Sequence, residues 1–381
     1  MSGLAEFEKR LAALVDASRA ADAGVEVVLL ESESRSVGWG EGKPLLNNAA
    51  VSSGACVRAL VDGGQGLSTT TVPNPETVRA LSAQALEAAR ASAKDPNRRL
   101  ARPASSYSAP VPVDEKLFQK PAAAIVEELR DIERRVLAKD RRLKKVVRMI
   151  YGERRGLRGV GNTDGVRLAE SSTVASFSLE LLADEGPHVE AAWDHRAERI
   201  SSRLKISDVA EVTAEQAIRA LGGKSLPTGK YPVVLHPRVG AQLLDLVGGA
   251  LSAEAVQKGR SFFARQLGKP VASPLVSIVD DPLKVGGVAS GAFDDEGVPS
   301  TPLSPVRRGV LEALFYDLRS ATRDRVVSNG RASKPGLGSP PHPASTNLFV
   351  EPGVSAVEAL LSSAPTVILL REVMGLHMAD P

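Results

Sequence analysis

A chain of 381 residues, 43% hydrophobic and 24% charged, has room for two or three domains and a sizeable buried core. Its net charge of +3 supplies no field that would recruit nucleic acid or an anionic membrane. One cysteine, Cys56, excludes a disulfide within the chain and a Cys-rich zinc site.

Leu4, Phe7, Leu11, Leu14 and Val15 recur at helical spacing, while Glu6, Glu8, Lys9 and Arg10 break any signal-peptide core. The opening segment reads as an amphipathic helix. With no apolar run long enough to span a bilayer, the expectation is a soluble cytoplasmic protein. VEVVLL, residues 25–30, is a buried strand, and ACVRALV followed by DGGQG and LSTTT is a hairpin. Asn74 can cap a helix that starts at Pro75 and ends near Ala93. Residues 95–115 are rich in Pro, Ser and Arg and read as a linker.

Ile125, Leu129, Ile132, Val136 and Leu143 trace one face of a long helix, with Asp131 and Arg135 as an i,i+4 pair outside. From Val146 the period becomes two, which predicts successive antiparallel strands joined by turns such as NTDG. Helices are expected near Glu190–Ile200 and Thr213–Leu221. Beyond LPTGK come a strand (YPVVLH), a helix from about Arg238, further strands, a long Gly/Pro-rich loop at 331–345, a short helix and a last strand, TVILLREV. The expected fold is α+β: an N-terminal layered domain with an antiparallel sheet (1–95), a linker (96–115), a central helix with antiparallel strands (116–225), and a mostly β C-terminal domain with a few helices (226–381).

Several chemical candidates fail on spacing. GGKS, residues 222–225, lacks the phosphate-loop glycine five positions before Gly223, where Ile218 stands. GVASG, 287–291, has its serine in the wrong place for a nucleophile elbow. His188 and His195, on the expected helix, are two turns apart, too far for one ion. His236 and His377 sit near strand ends without companions, and Cys56 reads as a small buried hydrophobe. Arg134, Arg135, Arg141, Arg142, Lys144 and Lys145 are diluted by Glu127, Glu128, Asp131, Glu133 and Asp140, the pattern of a solvated helix face. Asp294, Asp295 and Glu296 are adjacent, and three consecutive side chains converge poorly on one ion; Gly297 completes a turn reading instead.

FDDEGVPSTPLSPVRRGVLEALFYDLRSA, residues 293–321, resembles the signature of the TldD/PmbA family, the modulators of DNA gyrase. VRALVDGGQGLSTT, LPTGKYPVVLHP, TNLFVEPG and MGLHMADP resemble other family segments in the same order, covering nearly the whole chain. In this family the acidic turn is implied to be structural. One subunit type carries His-Glu-x-x-x-His on a helix and is a zinc peptidase. At the matching place this chain has LLDLVGGAL: Leu244 and Gly249 replace the two histidines and Asp245 replaces the glutamate. The resemblance therefore implies the PmbA/TldE type, with no catalytic, cofactor-binding or metal residue of its own. Its implied partner is a TldD-like subunit bearing the zinc, with unfolded peptide as shared substrate and a homodimer as the form when alone; neither membrane nor nucleic acid is expected.

The family pattern continues past the ADP of MGLHMADP, so the resemblance also reads this chain as shortened at its end, with an exposed strand edge. Two other readings stay open: a self-sufficient hydrolase with an unrecognised site, and a nucleic-acid- or gyrase-associated regulator.

Overall fold

The structure is a computed structural model and describes residues 3–375; His377 and most of MGLHMADP lie outside the described residues. Helix α1 (Leu4–Ala17) precedes a long hairpin of β1 (Gly24–Gly40) and β2 (Lys43–Val61), then β3 (Gly64–Thr70) and α2 (Pro75–Ala91). The hairpin between β2 and β3 turns on Asp62 and Gly63, both at positive φ. Asn74 caps α2 through its side chain, which accepts from the Thr77 N–H at 2.9 Å, with Pro75 in the first turn. After the irregular stretch come α3 (Ala122–Lys139), β4 (Leu143–Asn162), β5 (Arg167–Glu185), β6 (His188–Glu198) and α4 (Ile206–Ala220).

These strands form one antiparallel sheet in the order β3-β2-β1-β4-β5-β6. The pairing of β1 with β4, from Glu26↔Asn162 to Trp39↔Met149, welds the first hairpin to the central strands. Alternation decides what each face does. Val25, Val27, Leu29, Val57 and Ala59 bury against Phe7, Leu11 and Val15 of α1 and Val78 and Ala85 of α2. Farther along the sheet, Trp39, Met149, Phe177 and Leu179 bury against Ile125, Leu129 and Ile132 of α3 and Val209 and Ala214 of α4. Residues of opposite parity, Val28, Cys56 and Val160, face the other way and meet Ala292 and Phe293 from the C-terminal part.

That part contains β7 (Val233–Leu235), α5 (Pro237–Ala250), α6 (Ala253–Gln257), β8 (Ile278–Asp280), β9 (Leu303–Arg307), β10 (Val310–Leu311), α7 (Leu318–Asp324), β11 (Ala332–Ser333), β12 (His342–Pro343), β13 (Leu348–Val350), α8 (Val357–Leu361) and β14 (Ile368–Leu370). A four-stranded sheet β10-β9-β8-β13 packs with α5 around Leu251, Phe263, Ile278, Val306 and Phe315. β14 pairs parallel with β7, and β11 with β12 inside the Gly/Pro-rich segment. The architecture is mixed α and β, with a curled antiparallel sheet.

Four local expectations need correction. Glu190–Ile200 is not a helix: residues 188–198 form the edge strand β6, paired with β5 from His188↔Glu185 to Glu198↔Ala175. Its Ala/Glu/Arg content favours a helix, but sheet pairing overrides that weak preference. The successive strands expected after Val146 are only two before β6, joined at NTDG, with no turn at Gly152 or Gly156, which pair without interruption to Ser176 and Ser172. Leu143 opens β4 rather than extending α3. Asp131 pairs with Arg134 at 3.2 Å, and Arg135 donates to Ser207 at 3.0 Å instead.

The irregular stretch before α3 is strapped down. Leu100, Ala101 and Val111 are buried, and the buried Arg199 donates to the Pro112 carbonyl at 2.8 Å and the Ser290 carbonyl at 3.0 Å.

Candidate functional site

The acidic turn lies where the C-terminal part meets the open face of the large sheet. Its three carboxylates diverge. Asp294, buried, accepts from the backbone N–H of Glu296 (3.0 Å), Val298 (2.9 Å) and Ala332 (2.9 Å). Asp295 pairs with Arg158 and accepts from the Lys334 N–H at 2.7 Å. Glu296 accepts from Arg58 at 3.3 Å and from the Leu318 N–H at the start of α7 at 2.8 Å. Gly297 closes the turn at φ +85°. Each acid has its own structural partners, which is the turn chemistry read from the sequence.

Behind the turn is a buried ionic cluster that joins the two ends of the chain. Arg58 on β2 holds Glu26 on β1 in a two-pronged pair at 2.8 and 3.0 Å. Lys334 reaches Glu26 from the C-terminal part at 2.5 Å. Burial opposes ionisation of Glu26, but Arg58 and Lys334 outweigh it and lower its pKa to about 2. Glu296 has only the longer contact to Arg58. Burial pushes its pKa up to about 8, with Asp294, Asp317 and Glu26 adding to the rise. Burial likewise raises Asp294 to about 6, against the pull of its three N–H donors. Nearby, Arg331 is fully buried on Asp280 at 2.5 Å, and Asp280 also accepts from the Thr346 N–H at 2.7 Å.

None of these cations was singled out in the sequence. The available signal was Glu26 inside VEVVLL and Arg58 inside ACVRALV: a charge in the middle of a buried strand requires a partner.

The turn borders a cleft of about 270 Å³ lined by Arg158, Glu170, Ser290, Phe293, Asp295 and Thr346 among others. Arg158 is already engaged by Asp295, Glu170 and the Phe293 carbonyl. Ser290 of GVASG spends its hydroxyl on the Lys284 carbonyl at 2.7 Å and accepts from Asn347 at 2.9 Å, so it is no nucleophile. Among the described residues, no group of three or more His, Cys, Asp or Glu is placed to hold a metal ion.

The residues of α5 do not fit zinc. Leu244 packs on the apolar core beside β8 and β9, and Gly249 has no side chain. Asp245 stands on the exposed side, where partial burial raises its pKa, and without two imidazoles beside it a lone carboxylate cannot hold zinc. Gly248 lies tight against Ser345 and Leu348, where a β-carbon would meet the Ser345 hydroxyl at 3.1 Å.

The remaining candidates stay apart. His188 and His195 lie in an extended strand, seven residues and roughly 23 Å apart, on opposite faces. His236 caps α5, with Nδ1 accepting from the Arg238 N–H at 3.3 Å, and burial lowers its pKa. Cys56 is buried, and burial pushes its thiol pKa up. Gly222–Ser225 follows α4 rather than opening a helix. Of the basic run, Arg134 and Arg135 lie on α3, whereas Arg141, Arg142, Lys144 and Lys145 follow its end, in the turn and on β4; Arg134, Arg142 and Lys145 pair with Asp131, Asp140 and Glu41.

Two outcomes follow from the cluster. Arg58→Ala deprives the buried Glu26 carboxylate of its two-pronged counter-charge and costs about 3–5 kcal/mol in chemical denaturation. Glu296 keeps its proton in the folded state to about pH 8, whereas the unfolded chain releases it near 4.5. Folding therefore takes up a proton between these values, and stability falls as pH rises through this window. Glu296→Gln removes that slope, so its melting temperature relative to the parent rises from pH 5 to pH 8; a constant difference would contradict the assignment.

Three family models match the chain: PmbA/TldA metallopeptidase domain 1 over residues 25–89, the central domain over 115–221 and the C-terminal domain over 228–381. Metalloprotease MJ0996 of Methanocaldococcus jannaschii is 26% identical over 90% of this chain and 76% of its own length. Metalloprotease PmbA of Escherichia coli O157:H7 is 26% identical over 70% of this chain and 60% of its own. The TldD homolog of Haemophilus influenzae is 27% identical over 68% of this chain and 55% of its own. The chain thus spans about three quarters of the first relative and little more than half of the other two. Among solved structures, Thermotoga maritima TM0727, named for DNA gyrase modulation, superposes with a TM-score of 0.84 at 26% identity, over 99% of this chain and 85% of that one. TldE from Thermococcus kodakarensis shares the fold, with a TM-score of 0.81 at 19% identity over 94% of this chain and 80% of its own. With matches to all three domain models in order, the chain belongs to the PmbA/TldD family.

Proposed function

We propose that this chain is the non-catalytic subunit of a heterodimeric zinc metallopeptidase that acts on unfolded peptides in the cytoplasm. The observation that carries the reading is α5, which has Leu244, Asp245 and Gly249 at the places where the family resemblance implies the His, Glu and His of the zinc-bearing subunit type. A metallopeptidase needs imidazoles for the ion and a carboxylate for the attacking water, and this helix offers neither arrangement. The relatives' names support the reaction class, metalloprotease, and TldE of T. kodakarensis shares the fold.

On this reading the zinc and the chemistry belong to a TldD-like partner. This chain contributes a rigid wall: an open sheet face held by the buried cluster, with clefts along it for extended peptide. A casein digest tests this. The chain alone is expected to release no peptides, the zinc-bearing homologue alone little, and the mixture at least about ten-fold more, all abolished by chelator. Cleavage by this chain alone at the rate of the mixture would overturn the reading.

A further inference from the structure

The face of the large sheet not covered by helices carries a second cleft, of about 390 Å³. That size is in the range of small-ligand sites. Its floor follows from the register. Ser52, Ser32, Gly156 and Ser172 are directly opposite one another on β2, β1, β4 and β5. No side chain in this row is larger than serine, so the floor is open. Ser32 and Ser52 share a hydrogen bond at 2.8 Å. Leu30 and Val174 flank the floor, and Val288 and Leu337 overhang it from the C-terminal part.

The next row places Arg154 between Ser34 and Val174, and Arg154 lines the cleft. Among the described residues its guanidinium has no ion pair or hydrogen bond. The acids on neighbouring strand positions have partners of their own: Glu153 pairs with Arg35, Glu33 with Arg155 and Glu170 with Arg158, and Glu31, which also lines the cleft, pairs with Arg10. The other cation of the cleft, Arg158, is held by two carboxylates. Hydroxyls on the floor, apolar walls and one uncompensated guanidinium at the rim together match a short extended chain that ends in a carboxylate, which a guanidinium grips with two parallel hydrogen bonds.

We propose that this cleft binds the C-terminal end of a peptide, with the terminal carboxylate on Arg154 and the last side chain between Leu30, Val174 and Leu337. The choice of peptide rests on the function proposed above; the carboxylate and its place rest on the cleft alone.

The test is fluorescence polarisation with the purified chain and a fluorescein-labelled, unstructured octapeptide ending in leucine, made with a free or an amidated C-terminus. The free acid is expected to bind about ten-fold more tightly than the amide. Arg154→Gln removes that preference. Gly156→Val fills the floor and weakens both forms; its new β-carbon meets only the Ser172 hydroxyl, at 3.2 Å, and the Glu31 carbonyl, at 3.7 Å, so the sheet holds, as circular dichroism will verify. Equal affinity for acid and amide, no binding, or a preference that survives Arg154→Gln would overturn the proposal, as would displacement by a single-stranded oligonucleotide as effective as unlabelled peptide. If the octapeptide fails to bind while the mixed subunits still cleave casein, the cleft assignment falls and the subunit reading stands. The converse result separates them equally well.

Discussion

Arg58 is a cation that water does not reach, and much of the arrangement follows from how it is neutralised. Its strand, β2, runs through the layer where the large sheet meets the C-terminal part. A guanidinium there is costly unless paired and hydrogen-bonded. Glu26, one strand away, takes two of its hydrogen bonds, and Lys334 approaches the same carboxylate from 308 residues later in the chain. Separating the partners of such a pair leaves an uncompensated buried charge. Any other docking of the C-terminal part would strand Lys334 or Glu296 without its partner. The acidic turn is thus better understood as a connector. Asp294 shapes it, Asp295 ties it to β4 through Arg158, and Glu296 joins β2 to the first turn of α7.

The same connection fixes which part of the sheet stays open. Helices α1 to α4 cover one face of the sheet, and the C-terminal part covers only a portion of the other. What is left is an open floor with small side chains and two adjoining clefts that share Arg158 and Ser172. On the reading proposed above, a chain with this surface, and with a leucine and a glycine where the family resemblance implies zinc ligands in the other subunit type, presents substrate rather than cutting it. The helix that would carry the metal is still required structurally, because Leu244, Val247 and Ala250 help close the C-terminal core.

How much of this was legible in the sequence depends on the kind of signal. The capped helix at Pro75, the Asp62-Gly63 hairpin and the amphipathic α1 were readable because their determinants are local. The acidic turn was readable for the same reason: Asp294 bonds to backbone two and four residues ahead. Strand β6 was misread because its alternation, with Ala192 and Asp194 inward and Trp193 and His195 outward, is hidden by helix-favouring composition. Partners of Glu26 and Arg331 were illegible because they come from distant segments and no spacing rule links them. The cleft row of Ser52, Ser32, Gly156 and Ser172 depends on register across four strands, which sequence alone does not fix.

The central claim is that this chain supplies a surface and its partner supplies the metal. The most direct measurement is native mass spectrometry of the purified chain after incubation with excess zinc and desalting, beside its zinc-bearing homologue. The account predicts a bare chain and one zinc on the homologue. One zinc retained per copy of this chain, lost when Asp245 is changed to Ala, would contradict it.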